Sequence, residues 1–534
     1  LEVEQQKTPT PESVTASGRY NELEPTRTPV LQRARECSAL TIPGLMPPEG
    51  TSDASRLPVP YQSISADGVN NLSAKLLLSM FPPGQGFFRL TVDDMEMEKL
   101  KQQNGDSGED ARATIEAALA KVERSVVSRL ESKGNRAVNH EAFQHLIVCG
   151  NILIHVQPDG KEKAFPLDKY AVKRDLDGNV LDIVVKESLA RMALPPEVQK
   201  ILMDQVPSAP ESDKEKNVDL YTWIQRQDDG SYKVHQEVEG STVPGTEGHY
   251  PKGRLPWLAL RWRAVAGQDY GRSRVDEYLG DVNSAEALSK AIVQFAVQAA
   301  KIVWLVKPGS TTDKNKLAKA PTGAVLEGDE NDVTGLMLDK GQDFQIAKAV
   351  LDETKRRLER AFLSASAVQR DAERVTAEEI RAMIGELEQG LGGVYATLAE
   401  EYQRPLADVL LHQMMKSGTI PNLPDIVNPQ IVTGLDGLSR QSDSQKLTRL
   451  FTLVGQVFGP EVLDEWVDVG SAITRLGAAE GVDTKGVVKS SDEVMQARQQ
   501  KMQADAVNKL GPSAIKVAGD TLQSQQGQGA ESGQ

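Results

Sequence analysis

Between Ala361 and Met415 apolar residues recur at helical spacing over an unusually long stretch. Ile380, Met383, Ile384, Leu387, Leu391, Val394 and Leu398 share one face, and Leu406, Val409 and Leu410 resume it after a break. Thr376 and Glu379 have capping-box spacing, which predicts a helix start at Thr376. A helix from there to Met415 would be roughly 60 Å long at about 1.5 Å per residue. Gly392-Gly393 and Pro405 interrupt the pattern, so a kinked rod is expected rather than a straight one. A short polar loop, Gln369 to Arg374, precedes the rod, and a charged helix precedes the loop. The arrangement reads as a mechanical part, not as a catalytic pocket.

Elsewhere the pattern is shorter in range. Residues 1–26 are polar and expected to be a flexible N-terminus. Helices are predicted over Pro29–Ala39, 62–81, 108–132 and from Glu141 to Val148, with strands at Phe87–Val92 and Gly150–Val156. In the 108–132 helix Ile115, Leu119, Val122, Val126 and Leu130 form one stripe. From there to about residue 265 the texture is that of strands. Asp177-Gly178-Asn179 signals a hairpin of Val172–Arg174 with Val180–Val185. Asp228-Asp229-Gly230 signals a second, of Asp219–Arg226 with Tyr232–Val238. Residues 187–216 read as helical and then linker-like, and Trp257–Trp262 as a further strand. Two helices, about 275–300 and 345–364, bracket a small insert. Its predicted strands are Lys301–Lys307 and Gly323–Leu326, around a Lys-rich turn, Asp313–Lys319. After Pro421 and Pro424, residues 444–480 and 491–505 are amphipathic, and a Gly/Gln-rich tail fills 506–534. The fold class is α+β, mainly helical.

Composition restricts the function. The 534 residues, 39% hydrophobic and 26% charged, can form several cores. A net charge of −15 argues against a protein that grips nucleic acid over its whole surface, though not against one past which nucleic acid slides. The two cysteines, Cys37 and Cys149, exclude a disulfide framework or Cys-rich zinc site and fit a reducing compartment. The polar start at Leu1 predicts no secretory signal. The longest apolar run, Ala291 to Val306, carries Gln294, Gln298 and Lys301 and is too short and polar for a membrane span.

Catalytic signals are sparse. A phosphate-binding G-x-x-x-x-G-K-[ST], an H-E-x-x-H and a nucleophile elbow are all missing. His140 and His145 lack a carboxylate constellation, so surface or core histidines are expected and no metal. Asp93-Asp94 has no third ligand nearby and reads as a solvated loop. Gly392-Gly393 follows no strand and reads as a helix break, not a nucleotide loop. No cofactor is expected. Between Lys348 and Arg374 lie seven basic residues (Lys348, Lys355, Arg356, Arg357, Arg360, Arg370, Arg374) and five acidic ones. They form either an ordinary solvated helix face with i,i+4 pairs or a set of phosphate contacts that touch DNA without reading its sequence.

Several motifs together resemble the portal, or head-to-tail connector, proteins of podovirus-type short-tailed bacteriophages. They are Gly68-Val69-Asn70-Asn71-Leu72 with Lys75-Leu76, the Gly150–Leu153 turn, and Arg174-Asp175 with Gly178-Asn179-Val180. Tyr270-Gly271-Arg272-Ser273 with Glu277-Tyr278-Leu279-Gly280-Asp281 continues the likeness. So do Ala367-Val368-Gln369-Arg370, the run Glu373 to Arg381, Leu391-Gly392-Gly393-Val394-Tyr395 and Thr433-Gly434-Leu435. The run around 368–395 is the most specific, and the likeness extends from about 30 to 490.

The resemblance implies a twelve-subunit ring with wing, stem, clip and crown around an axial channel, at the portal vertex of a virion assembled in the host cytoplasm. It maps residues 27–273 to the wing, 274–302 and 344–364 to stem helices, and 303–343 to the clip. Residues 365–376 become the channel loop, 377–429 the long kinked helix and wing return, and 430–505 a helical crown, with 506–534 a flexible tail of no assigned role. Partners implied are double-stranded DNA, a terminase motor, major capsid and scaffolding proteins, and a tail adaptor, with no membrane. Gln369, Arg370, Asp371, Glu373 and Arg374 become the channel-loop candidates beside DNA. Lys355, Arg356 and Arg357 either line the stem channel or make intersubunit salt bridges. Gly392, Gly393 and Pro405 are the helix-kink candidates. Two competing readings are a nucleic-acid-processing enzyme of unrecognised site and a helical oligomeric scaffold that never meets DNA.

Overall fold

The computed structural model describes residues 15–52, 54–83, 86–91, 108–190, 198–199, 217–299, 303–336, 341–364, 377–391, 393–421, 430–433, 439–459, 467, 469–479, 494, 496–497 and 499–502. The chain divides into two units. One comprises Leu1–Phe88, Ser125–Asn422 and Ile431–Asp436, the other Arg89–Arg124, Leu423–Gln430 and Gly437–Gln534.

In the first unit, Thr15 opens helix α1 (Ala16–Ala39) by accepting the Gly18 N–H on its hydroxyl at 3.1 Å. Periodicity predicts this helix only from Pro29, with a flexible N-terminus through residue 26; the structure carries it back to Ala16, through Pro25 and Pro29. Each internal proline removes a helical N–H at a cost of roughly 3 kcal/mol, and tertiary packing offsets it. Ala16, Tyr20 and Leu23 are buried against Ala171, Val184 and Trp223. Arg19 pairs with Asp182 at 2.6 Å. Buried Arg27 donates to Tyr20 Oη at 2.5 Å and to the Asp168 and Tyr170 carbonyls at 3.2 Å.

Helix α2 (Ile64–Met80), strand β1 (Phe88–Thr91) and helix α3 (Gly108–Ser132) come next, and on α3 Leu119, Val122, Val126 and Leu130 are buried. Helix α4 spans Asn135–Cys149, beginning before the predicted Glu141. Its first turn hides polar residues that a hydrophobic pattern misses: Asn135 donates to the Gly160 carbonyl and accepts from the Glu162 N–H.

Strands β2 (Asn151–Val156), β3 (Glu162–Phe165), β4 (Tyr170–Arg174), β5 (Val180–Ala190), β6 (Asn217–Arg226) and β7 (Tyr232–Val238) are joined by β8 (Ser241–Thr242), β9 (Gly248–Tyr250) and β10 (Trp257–Arg261). They make two antiparallel sheets, ordered β10-β2-β3 and β4-β5-β6-β7-β8, with β9 also on β7. Both expected hairpins form, with Gly178 and Gly230 left-handed in their turns. Residues 187–190, expected to be helical, instead extend β5, pairing Ala190 with Asn217. Apart from Val198 and Gln199, residues 191–216 lie outside the described residues.

A backbone crossing joins the three-stranded sheet to the Asp269–Ser273 turn. Asn151 accepts the Gly271 N–H at 2.7 Å and donates to the Gly271 carbonyl at 3.0 Å. Gly150 is left-handed, and a Cβ there would lie 2.8 Å from the Arg272 and Ser273 backbone. Arg174 holds the neighbouring turn through the carbonyls of Asp269, Gly178 and Ala259. Three of the sequence motifs, around 150, 174 and 271, thus meet at one structural joint.

Beyond it run α5 (Arg274–Glu277), α6 (Leu279–Ala299), β11 (Val303–Val306), α7 (Lys314–Lys319), β12 (Val333–Leu336) and α8 (Gly341–Ala361). The expected strand at Gly323–Leu326 is open chain, with Gly323 left-handed in a turn; β11 pairs instead with β12. The Lys-rich turn is the short helix α7, capped by the Asp313 carboxylate.

The rod is not one continuous helix. It comprises α9 (Ala377–Leu391), α10 (Val394–Leu398), a π-turn at Ala399–Gln403 and α11 (Arg404–Lys416). Thr376 and Gly392 lie outside the described residues. Gly393 is left-handed at φ 92°. The Arg404 N–H reaches back to the Ala399 carbonyl, a wide turn placed immediately before Pro405, whose nitrogen cannot donate. That turn carries Tyr402 and Gln403 into the core: Gln403 donates to the Met80 carbonyl at 2.6 Å.

In the second unit Glu123 accepts the Leu90 N–H at 2.6 Å. Strand β13 (Gln430–Thr433), most of which belongs to the first unit, opens the segment expected to be a helical crown; in the second unit helices α12 (Ser439–Phe458) and α13 (Val469–Ala479) pack together. Gly459 at φ 93° ends α12, and α13 is a second helix within the stretch read as amphipathic over 444–480.

Tyr402, Asn139 and Glu162 form a closed buried network. Tyr402 Oη contacts Asn139 Oδ1 and lies 3.1 Å from Glu162 Oε1, while Asn139 Nδ2 donates to Glu162 Oε2 at 2.8 Å. Tyr402 has one proton for two acceptors, so a protonated Glu162 completes the ring by donating to Tyr402 Oη. Burial accordingly raises the Glu162 carboxyl from 4.5 to about 7. A folded-state value above the unfolded one means stability is greatest below pH 4.5 and falls as pH rises through about 7. Glu162→Gln reproduces the protonated pattern. In urea unfolding it should match wild type near pH 4 and exceed it near pH 8 by on the order of 3 kcal/mol. Equal pH slopes for the two proteins would contradict this assignment.

Candidate functional site

Helices α6 and α8 pack side by side and bracket the 303–336 segment. Their facing stripes are apolar or small: Val282, Ala285 and Ser289 on α6, and Leu351, Thr354, Leu358 and Ala361 on α8 are buried. Farther out, Phe295 and Phe344 meet with ring centroids 5.5 Å apart. Beyond Ser289 none of the described α6 side chains is buried.

The basic run lies on the outer side of α8. Lys355 is half-buried, whereas Arg356 and Arg357 are exposed. Arg357 pairs with Asp281 of α6 at 3.0 Å and donates to Thr354 Oγ1 at 3.3 Å, an ion pair inside the subunit. Arg360 stands 3.9 Å from Glu353. Among the three stem candidates, Arg356 is the exposed one to which the structure gives no carboxylate partner among the described residues.

At its end α8 turns into residues 361–364, which are held from three sides. Leu363 is a non-glycine residue at φ 52°, a conformation that strains an L side chain. Its carbonyl accepts from Lys75 Nζ at 2.6 Å and Asn71 Nδ2 at 3.3 Å. Lys75, nearly buried, also stands 3.4 Å from both Glu386 oxygens on α9. Arg274 donates twice to the Ala361 carbonyl, at 3.1 and 3.0 Å, and to the Gly390 carbonyl at 3.4 Å. Two glycines permit the approach: a Cβ at Gly68 would lie 2.7 Å from the Phe362 ring, and one at Gly390 would lie 2.7 Å from Leu363. Glu286 of α6 ties in the start of α2 by accepting the Tyr61 and Gln62 N–H groups.

The chain segments on either side of residues 365–376 are therefore clamped together. Gln369, Arg370, Asp371, Glu373 and Arg374 lie outside the described residues, as do Asp93-Asp94. Periodicity gives no sign of the clamp residues Lys75, Asn71, Arg274 and Glu386. Lys75 is the lone charge in an apolar run, Ala74 to Met80, and that is the signal that marks it.

Burial lowers His145 to about 4 and pushes the Cys37 thiol up to about 12, so neither is poised for chemistry at neutral pH. Among the described residues no His, Cys, Asp and Glu group could hold a metal ion, and no helix is long and apolar enough to cross a membrane.

Residues 13–488 match the protein family described as bacteriophage head to tail connecting protein. The chain is 38% identical over 490 residues to the portal protein of Escherichia phage T7, covering 90% of this chain and 89% of that one. To the portal protein of Enterobacteria phage T3 it is 36% identical over 528 residues, 97% of each chain. A solved structure, the neck of a native gene transfer agent particle computed with C12 symmetry, shares 12% identity over 74% of this chain and 96% of that one. Its TM-score is 0.33, too slight a likeness to carry any argument.

Lys75→Met keeps the side-chain length but deletes a charged donor to the strained carbonyl. Stability should fall by about 2 kcal/mol in urea, the size of a charge-assisted hydrogen bond. Amide exchange at Phe362, Leu363 and Ser364, whose N–H groups close the end of α8, should accelerate. Unchanged exchange there would show that the clamp does not hold this turn.

Proposed function

Because the chain belongs to the bacteriophage head-to-tail connecting protein family, we propose that it is a phage portal protein, a ring-shaped conduit for double-stranded DNA. In this reading twelve copies form the ring at one capsid vertex, within capsid and scaffolding proteins. A terminase motor docks there during packaging, and a tail adaptor replaces it before ejection. The chain is a structural connector; the work of packaging belongs to the motor.

The observation that carries self-assembly is the outer surface of the α6–α8 pair. Val293 and Val297 on α6 and Ile346 and Val350 on α8 are about half exposed or more, Ile346 to 64%. Apolar residues gathered at one end of a helix pair fit a protein–protein contact better than water. The remaining layout follows the family: α1 and the sheets form the wing, α6 and α8 the stem, 303–343 the clip, 365–376 the channel loop, 377–429 the long helix and wing return, and 430–505 the crown.

Sequence-nonspecific DNA contact suits isolated cations on an acidic body. A few phosphate contacts give weak, salt-sensitive attraction and let the polymer move. The loop cations Arg370 and Arg374, beside Gln369, Asp371 and Glu373, take that role. Arg356 is the stem candidate left for it, since Arg357 is engaged by Asp281.

Negative-stain electron microscopy with light scattering tests the reading. Rings of about a dozen copies with an axial hole are expected, and Val293→Asp with Ile346→Asp should reduce them to small species. A wild-type chain that stays small even with scaffolding protein present would overturn the conduit. Replacing Arg370 and Arg374 by Ala should leave rings intact and lower packaged or retained DNA; normal yields would remove these residues from the channel role.

A further inference from the structure

The π-turn at Ala399–Gln403 is a weak point of the rod, because Pro405 withholds the N–H that a straight α-helix would use there. Side chains fasten the turn to the body. Gln403 donates to the Met80 carbonyl of α2 at 2.6 Å, and Glu401 meets Arg261 of β10 at 2.6 Å. Tyr402 reaches Asn139 of α4 and Glu162 of β3, packed beside Phe81 and Phe143 with ring centroids 5.4 and 6.4 Å away.

The Tyr402 tie hangs on one proton. Tyr402 to Asn139, Asn139 to Glu162 and Glu162 to Tyr402 are three contacts that need three donated hydrogens. Asn139 and Tyr402 supply one each, and a protonated Glu162 supplies the third. Once Glu162 ionises, two donors serve three contacts. Turning the Asn139 amide over does not help, because its Oδ1 would then face Glu162 Oε2. The surrounding groups are engaged elsewhere. Asn135 of α4 takes the Glu162 N–H, not its carboxyl. Lys161 and Lys163, on either side in β3, are exposed, and Lys163 pairs with Glu187. His155 of β2, opposite Lys163, stacks on Trp257, and Glu401 of the turn pairs with Arg261.

We propose that Glu162 is a proton-operated lock on the rod. Protonated, it closes the ring and fastens the π-turn to α4 and β3. Ionised, it releases Tyr402, and α10 and α11 move about the turn while Gln403 and Glu401 still hold its ends to α2 and β10. Burial raises the Glu162 carboxyl to about 7, which sets the change near neutral pH. Under the portal reading the rod joins the channel loop to the wing, so the lock governs how freely one shifts against the other; the lock itself needs no ring.

Hydrogen exchange on the full-length chain tests the lock, with each rate divided by the intrinsic rate at the same pH. Protection of the Arg404 N–H and its neighbours in the π-turn should fall about tenfold from near pH 6 to near pH 8.5, because an opened turn exposes a carboxyl of ordinary acidity. Exchange there should not respond to urea below the unfolding transition, which separates a local opening from global unfolding. Glu162→Gln should keep the pH 6 protection of wild type at both pH values. Wild-type protection that is equal at the two pH values would overturn the lock. So would turn exchange that follows urea in step with the β5–β6 amides, or a Glu162→Gln chain whose protection still falls. None of these results bears on whether the chain forms rings, which electron microscopy decides separately.

Discussion

A buried lysine meeting a strained carbonyl fixes the geometry on which the α8–α9 junction depends. Lys75 Nζ sits 2.6 Å from the Leu363 oxygen, and Leu363 adopts a left-handed backbone to present it. Burying an ammonium is tolerable only with close partners, and these come from the end of α8 and from Glu386 on α9. The two segments that flank residues 365–376 are thereby referred to the same atom. Arg274 does the same from the other side, bonding Ala361 and Gly390 together.

The same device recurs deeper in the body. Asn151 bonds both polar groups of Gly271, and Tyr402 joins Asn139 and Glu162. Each of these buried polar groups can be satisfied in few arrangements, whereas apolar side chains tolerate many. The π-turn before Pro405 belongs to this logic. It rotates Tyr402 and Gln403 inward to partners on α4 and α2 that a straight helix with a proline defect would not reach.

Legibility in the sequence depends on the range of these forces. The long amphipathic helices and both hairpins are readable because periodicity and turn glycines act locally. The first half of α1 is not, since Pro25 and Pro29 oppose a helix that only contact with Ala171, Val184 and Trp223 sustains. The strand at Val333–Leu336 is expected instead at Gly323–Leu326, where the apolar pair Val325-Leu326 imitates a strand but is left exposed. Of the site, the motif residues Gly68, Asn71 and Lys75 are visible as a resemblance, while their task is not. What they do depends on Phe362 and Leu363, nearly three hundred residues away in sequence, and no local pattern encodes such an encounter.

Charge placement completes the physical argument for a conduit over a clamp. A net charge of −15 repels DNA at long range, so any attraction must be local and screened within about 10 Å at moderate salt. Arg357 on α8 already pairs with Asp281, and Arg360 stands near Glu353. A surface built to hold DNA would leave such residues unpaired, because each phosphate contact adds to affinity through counterion release. Pairing them inside the subunit stiffens the helices and lowers the grip at once. For the proposed conduit, pairing of this kind favours passage of a polyanion over its retention.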